Sequence, residues 1–180
     1  MRSGCPTWLR WLAVLALGWS AAFACLAGLP AAYEPVVLQP TGRPARAEFD
    51  LAPLIERARR EGRWLYVYLG ATDCPYCRRY EAFLARHADE LAPRFARRWL
   101  VVELRSELSV TAERLYLRAG GASLPYAAFQ RSIGDERARL LVYPSVWLLD
   151  AQGRPLMQMP AGTGTFETVA EQIEILQLVQ

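Results

Sequence analysis

Two cysteines stand two residues apart in the stretch ATDCPYCRRY, at Cys74 and Cys77, with Pro75 and Tyr76 between them and Arg78 and Arg79 behind. A pair at this spacing supports three kinds of chemistry: thiol–disulfide exchange, half of a metal site, or a structural staple. Exchange runs through the thiolate, which the free N–H groups and positive dipole end of a helix start favour over the thiol. Cys74 stands where such a helix would begin. Pro75 suits the first helical position, where it has no hydrogen bond to lose. Cys77 then falls one turn on, in reach of a mixed disulfide formed at Cys74, which it would resolve. A structural zinc site asks for four Cys or His ligands. Outside the first 30 residues the chain adds only His87 to this pair, so no metal ligand set is assigned. His87 itself lies on an apolar helix stripe, about 15 Å from Cys77 if the helix is unbroken, and reads as a half-buried core residue. Met157 and Met159 share one strand face and, with the cysteines, invite a Cu(I) reading; packing is the simpler account of both.

The elements that must position this pair follow from the periodicities around it. FDLAPLIERARREG, from Phe49, reads as a helix with Asp50 as its cap, Leu51, Leu54, Ile55 and Ala58 on one face and Gly62 as the stop. RWLYVYLGA then reads as a buried strand delivering the chain to Cys74. Tyr76, Tyr80, Phe83, Leu84, His87 and Leu91 recur at helical steps behind the cysteines, with an interruption expected at Pro93. RWLVVEL, residues 98–104, is a second buried strand. Residues 105–140 form an excursion, expected as helical: a helix from Thr111 to Ala119, a stop at Gly120 and Gly121, and a second helix from Pro125. YPSVWLLDAQGRPLMQMP reads as strand, tight turn at residues 150–153, strand, and so short a turn imposes antiparallel pairing. Thr165 is the expected cap of a last helix carrying Phe166, Val169, Ile173 and Leu176 on one stripe. Strands this apolar must be covered on both faces by helices.

Residues 1–32 read as an address. Arg2 and Arg10 precede an uncharged apolar run over residues 11–29, and Ala22-Phe23-Ala24 fits a small-x-small cleavage signal. Three fates are open: a cleaved signal peptide, an uncleaved N-terminal membrane anchor, or cleavage before Cys25 with lipid attachment there. All three export the rest of the chain into a compartment where disulfides persist, with a bacterial periplasm as the expected location. Residues 33–48, with three prolines and no periodicity, read as a linker or extended arm, and the domain as residues 49–180. Of the 180 residues, 21 are basic, all arginine, against 18 acidic. Two of those arginines lie in the leader, so the domain is close to neutral and has no electrostatic footprint for nucleic acid.

Cys74-Pro75-Tyr76-Cys77 after a strand, followed downstream by Tyr143-Pro144-Ser145 leading into VWLLD, resembles the thioredoxin superfamily over residues 49–180. The resemblance implies an α/β thioredoxin fold: a central mixed β-sheet flanked by helices, here with a helical insertion before the strand that follows the cis-proline. It implies that Pro144 is cis, that Tyr143 and Pro144, with Pro75 and Tyr76, form the substrate groove, and that the redox group is a Cys74–Cys77 disulfide with no added cofactor. The chain departs from thioredoxins proper in three ways. Asp73 replaces the tryptophan before the first cysteine, and Pro-Tyr replaces Gly-Pro between the pair, as in glutaredoxins. Tyr68 stands where thioredoxins bury an aspartate, which leaves Glu103 on the neighbouring strand as a candidate proton acceptor for Cys77. The excursion at 105–140 lengthens the path from Cys77 to Pro144, and its Tyr116, Tyr126 and Phe129 either pack on the domain or form a partner surface. The expectation is an exported thiol–disulfide oxidoreductase acting on cysteine pairs of other exported proteins and coupled to a membrane redox partner. A copper-handling chaperone and a redox-silent interaction module are the alternatives.

Overall fold

The computed structural model describes residues 28–42, 46–134, 141–159 and 168–178. The leader up to residue 27, with its cleavage motif, lies outside them, as do Thr165 and Phe166.

The chain enters through a single 3-10 turn, Ala31–Tyr33, and the short strand β1, Val36–Leu38. β2, Ala47–Asp50, leads into helix α1, Ala52–Glu61. The N-cap position falls on Leu51 and not on Asp50, which stands one residue earlier and accepts the Ala52 N–H at 3.0 Å; Gly62 closes the helix at φ 64°, a left-handed conformation that glycine adopts without strain. Strand β3, Trp64–Ala71, delivers the chain to helix α2, Pro75–Arg86. Helix α3, Ala88–Arg98, follows after a break at His87, and strand β4 spans Trp99–Ser106. The break therefore falls at His87 and not at Pro93, which lies inside α3. Pro93 is on the exposed face, where water can satisfy the one carbonyl its missing N–H leaves free.

The excursion is only partly helical. Strands β5, Leu115–Arg118, and β6, Ser123–Pro125, precede helix α4, Tyr126–Ser132. The helix expected from Thr111 to Ala119 is thus a turn and a strand: Leu115 and Leu117 point inward in alternation, and β5 pairs with β2 in parallel. Strands β7, Ser145–Leu149, and β8, Pro155–Met159, form the expected hairpin, and helix α5, Val169–Leu178, ends the described fold. A reciprocal capping box starts α5: Thr168 Oγ1 accepts the Glu171 N–H, and Glu171 returns the bond to the Thr168 N–H.

The main sheet runs β1-β4-β3-β7-β8, with β1, β4 and β3 parallel and β7 and β8 antiparallel to their neighbours; β2, β5 and β6 form a second, smaller sheet. Residues 33–48, expected as a linker or arm, thus supply the edge strand β1 and the start of β2. The core has two sides because β3 alternates. Leu65, Val67 and Leu69 face α1 and α4, with Phe49, Phe129 and Trp147 around them. Tyr66 and Tyr68 face the other way, toward Tyr80, Phe83, Phe95 and Leu176 of α2, α3 and α5. Tyr126 and Phe129 of the excursion are buried against Trp147, so they serve packing. Met157 packs on the side of the core away from the cysteines.

Candidate functional site

Cys74 is the N-cap of α2, in extended conformation, and its Sγ accepts the Cys77 N–H at 3.2 Å. A free sulfur thus occupies the position where an unsatisfied helix N–H needs an acceptor. On its other side Cys74 Sγ lies 3.8 Å from the carbonyl oxygen of Tyr143. Both cysteines are reduced and buried, Cys74 at 1% exposure and Cys77 at 0%. Cys77 Sγ accepts the Ala71 N–H at 3.5 Å. Burial, reinforced by the neighbouring Cys74, pushes the Cys77 thiol up to about 12, so it holds its proton at neutral pH.

The Tyr143–Pro144 peptide is cis. The Tyr143 ring turns inward, its hydroxyl 3.0 Å from Ser106 Oγ, and burial raises its pKa to about 12. What Tyr143 presents at the site is therefore its backbone. Pro144 is buried behind it, while Pro75 and Tyr76 are exposed, Tyr76 at 51%. Asp73 ties this surface to the loop after β4 by accepting the Leu108 N–H at 2.8 Å, and Arg78 caps the Thr72 carbonyl at 3.0 Å. The structure thus gathers Cys74, Cys77, Pro75, Tyr76, Tyr143 and Pro144 at one end of the sheet.

Glu103, the candidate proton acceptor for Cys77, is turned to other partners. It is 2% exposed, and both carboxylate oxygens are engaged: one by the Leu29 N–H at 3.0 Å, the other by the Arg105 guanidinium at 2.8 Å. Its bonds therefore run to the N-terminal strip and not to Cys77. His87 is half-buried against Phe83, with ring centroids 5.1 Å apart, as its place on the apolar stripe suggested. Two residues near Cys77 were not singled out as functional by the sequence. Tyr68 was noted only for the acid it replaces, and Glu81, four residues after Cys77 on α2, not at all. Tyr68 donates its hydroxyl to Glu81 Oε1 at 2.9 Å.

A mixed sheet with helices on both faces, a CxxC pair at the end of its central strand and a cis X-Pro bond facing that pair define the thioredoxin fold. The sequence model of the thioredoxin-like domain matches residues 51–177, and the chain belongs to that family. Similar solved structures include a thioredoxin-fold protein from Helicobacter pylori, at 13% identity and TM-score 0.39, covering 66% of this chain and 83% of that one. Chloroplastic thioredoxin z matches at 16% identity and TM-score 0.40, over 77% and 97% of the two chains. The DsbH oxidoreductase matches at 12% identity and TM-score 0.38, over 78% and 92%. No curated protein matches the chain.

Proposed function

We propose that the protein is an exported thiol–disulfide oxidoreductase that exchanges disulfides with cysteine pairs of other exported proteins. The observation that carries this reading is the setting of Cys74 Sγ, held at a helix start by the Cys77 N–H and beside the Tyr143 carbonyl at the cis-proline. Cys74 attacks a substrate disulfide, its sulfur bonding to one substrate sulfur while the other leaves as a thiolate. Cys77 then attacks Cys74, closing the Cys74–Cys77 disulfide and releasing the reduced substrate. The pair is itself the redox group. The Tyr143 backbone and Pro144, with exposed Tyr76, receive the substrate strand. The leader motif supports a periplasmic location, and electrons would be exchanged with a membrane redox partner.

The test is the reduction potential of the full chain, read by trapping free thiols after equilibration in glutathione or dithiothreitol buffers, together with turnover on insulin. A potential near about −270 mV makes the protein a reductase, and one above about −180 mV an oxidant or isomerase. Turnover should vanish in Cys74→Ser. A pair that stays oxidised below roughly −300 mV, with no turnover, would overturn the reading in favour of a structural disulfide.

A further inference from the structure

Cys77 must lose a proton before it can attack, yet it is fully buried and its thiol is held protonated. The family's buried acid is absent at the matching position, and Glu103 is occupied by Leu29 and Arg105. The structure offers another route. Tyr68 and Gly70 are two residues apart on β3 and so share a face. A Cβ on Gly70 would lie 2.6 Å from Tyr68 Cε1 and 2.9 Å from its hydroxyl oxygen. Glycine at 70 thus lets the Tyr68 ring lie along the strand toward Ala71, whose N–H holds Cys77 Sγ. Cys77 and Glu81 are one turn apart on α2 and lie on the same side of that helix. The Tyr68 hydroxyl, bonded to Glu81 at 2.9 Å, also lies near enough to the Cys77 sulfur to favour its ionised form. Glu81 in turn lines a cavity of about 610 Å³ together with Arg78, Arg105 and Glu34.

We propose that Tyr68 and Glu81 act as a two-residue proton relay for Cys77, taking over the task of the buried acid that this chain lacks. The inference rests on the reading that Cys74 and Cys77 exchange disulfides. As Cys77 attacks, its S–H proton passes to the Tyr68 oxygen while the Tyr68 hydroxyl proton passes to Glu81 Oε1. The net change is a Cys77 thiolate and a protonated Glu81, which returns the proton to water through the cavity. The Cys77 thiolate then forms the bond to Cys74 Sγ, and the substrate sulfur leaves as a thiolate. Tyr68 lies beside the reacting sulfur, and Glu81 acts through it. The other ionisable groups around this path are Cys74 and Tyr143 beside Cys77, Tyr80 and Glu103 beside Tyr68, and Arg78, Arg105 and Glu34 around Glu81.

The test is single-turnover closure of the Cys74–Cys77 disulfide after the reduced full chain is mixed with oxidised glutathione, followed from pH 5 to 9. Glu81→Gln and Tyr68→Phe should each slow closure on the order of 100-fold at pH 7. The first attack by Cys74, measured in a Cys77→Ser background, should be unchanged, which a merely structural role for Glu81 would not predict. Glu81→Gln is the variant least exposed to folding failure, because the substitution is isosteric and Glu81 is only half-buried. Wild-type closure rates in both variants across this pH range overturn the relay even if the wild type turns over insulin. Relay-dependent closure without insulin turnover overturns the proposed function and leaves the relay standing; a wild type that forms no disulfide overturns both.

Discussion

Cys74 and Cys77 are two residues apart in sequence, and their environments diverge because one caps a helix and the other faces the core. The consequence for Cys77 can be read in stability. Its folded pKa is raised to about 12 from an ordinary value of 9.0, so the folded state favours the protonated thiol. That stabilisation is complete below about pH 9 and is lost as pH climbs toward 12. Reduced wild-type protein should therefore lose stability over this window more steeply than Cys77→Ala, as measured by urea unfolding at a series of pH values. At this scale the sequence was informative wherever one residue type answers to one role. Cys74 and Cys77 could be picked out by their spacing, and Pro144 by the resemblance to the thioredoxin superfamily. Glu103 could not, because its burial depends on Leu29 and Arg105 closing over it. Glu81 could not either, since a glutamate on an amphipathic helix looks the same whether it meets water or a buried tyrosine.

Elements were legible where local chemistry decides them. Asp150 shows how much one side chain can fix: it accepts the N–H groups of Gln152 and Arg154 at 2.8 and 2.9 Å and pairs with the Arg154 guanidinium at 2.6 Å. Gly153 completes the turn at φ 78°. Burial disfavours ionisation of Asp150, yet these hydrogen bonds outweigh it and hold the carboxyl below its ordinary 3.8. Asp150→Ala should cost about 2 kcal/mol in denaturant unfolding at pH 7, the range of charge-assisted hydrogen bonds. Because the folded pKa is the lower one, the wild type keeps this advantage above about pH 4 and loses it as pH falls through the folded value. The difference between the two proteins should shrink accordingly in acid. Elements were missed where tertiary partners decide. Leu115 to Arg118 carry enough helix formers to suggest a helix, and only pairing with β2 reveals a strand. β1 has three residues between Pro35 and Pro40, so its place beside β4 is invisible without β4.

At the scale of the whole molecule, the two-sided core and the helices covering both faces followed from the apolar strands, whereas the N-terminal boundary did not. Leu29 is buried, its N–H is held by Glu103, and the Tyr33 hydroxyl donates to the Leu84 carbonyl at 2.9 Å. The strip from residue 28 onward is therefore part of the folded body. Glu103→Ala should release it: amide exchange over residues 28–38 should accelerate, and global stability should fall by about 1–3 kcal/mol. Unchanged exchange there would mean that Leu29 and Tyr33 hold the strip without the carboxylate.

That strip also sets a length limit. The apolar run of residues 11–29 is long enough on paper to cross a bilayer, but its last two residues are committed to the domain, Leu29 by its burial and Gly28 by its close approach to Glu103 and Arg105. What remains is close to the shortest stretch that can span hydrocarbon, about 17 residues. An anchored form would have no slack between membrane and sheet edge. It would ride against the lipid headgroups like a fixture bolted to a wall, reaching only those partners that come to the same surface.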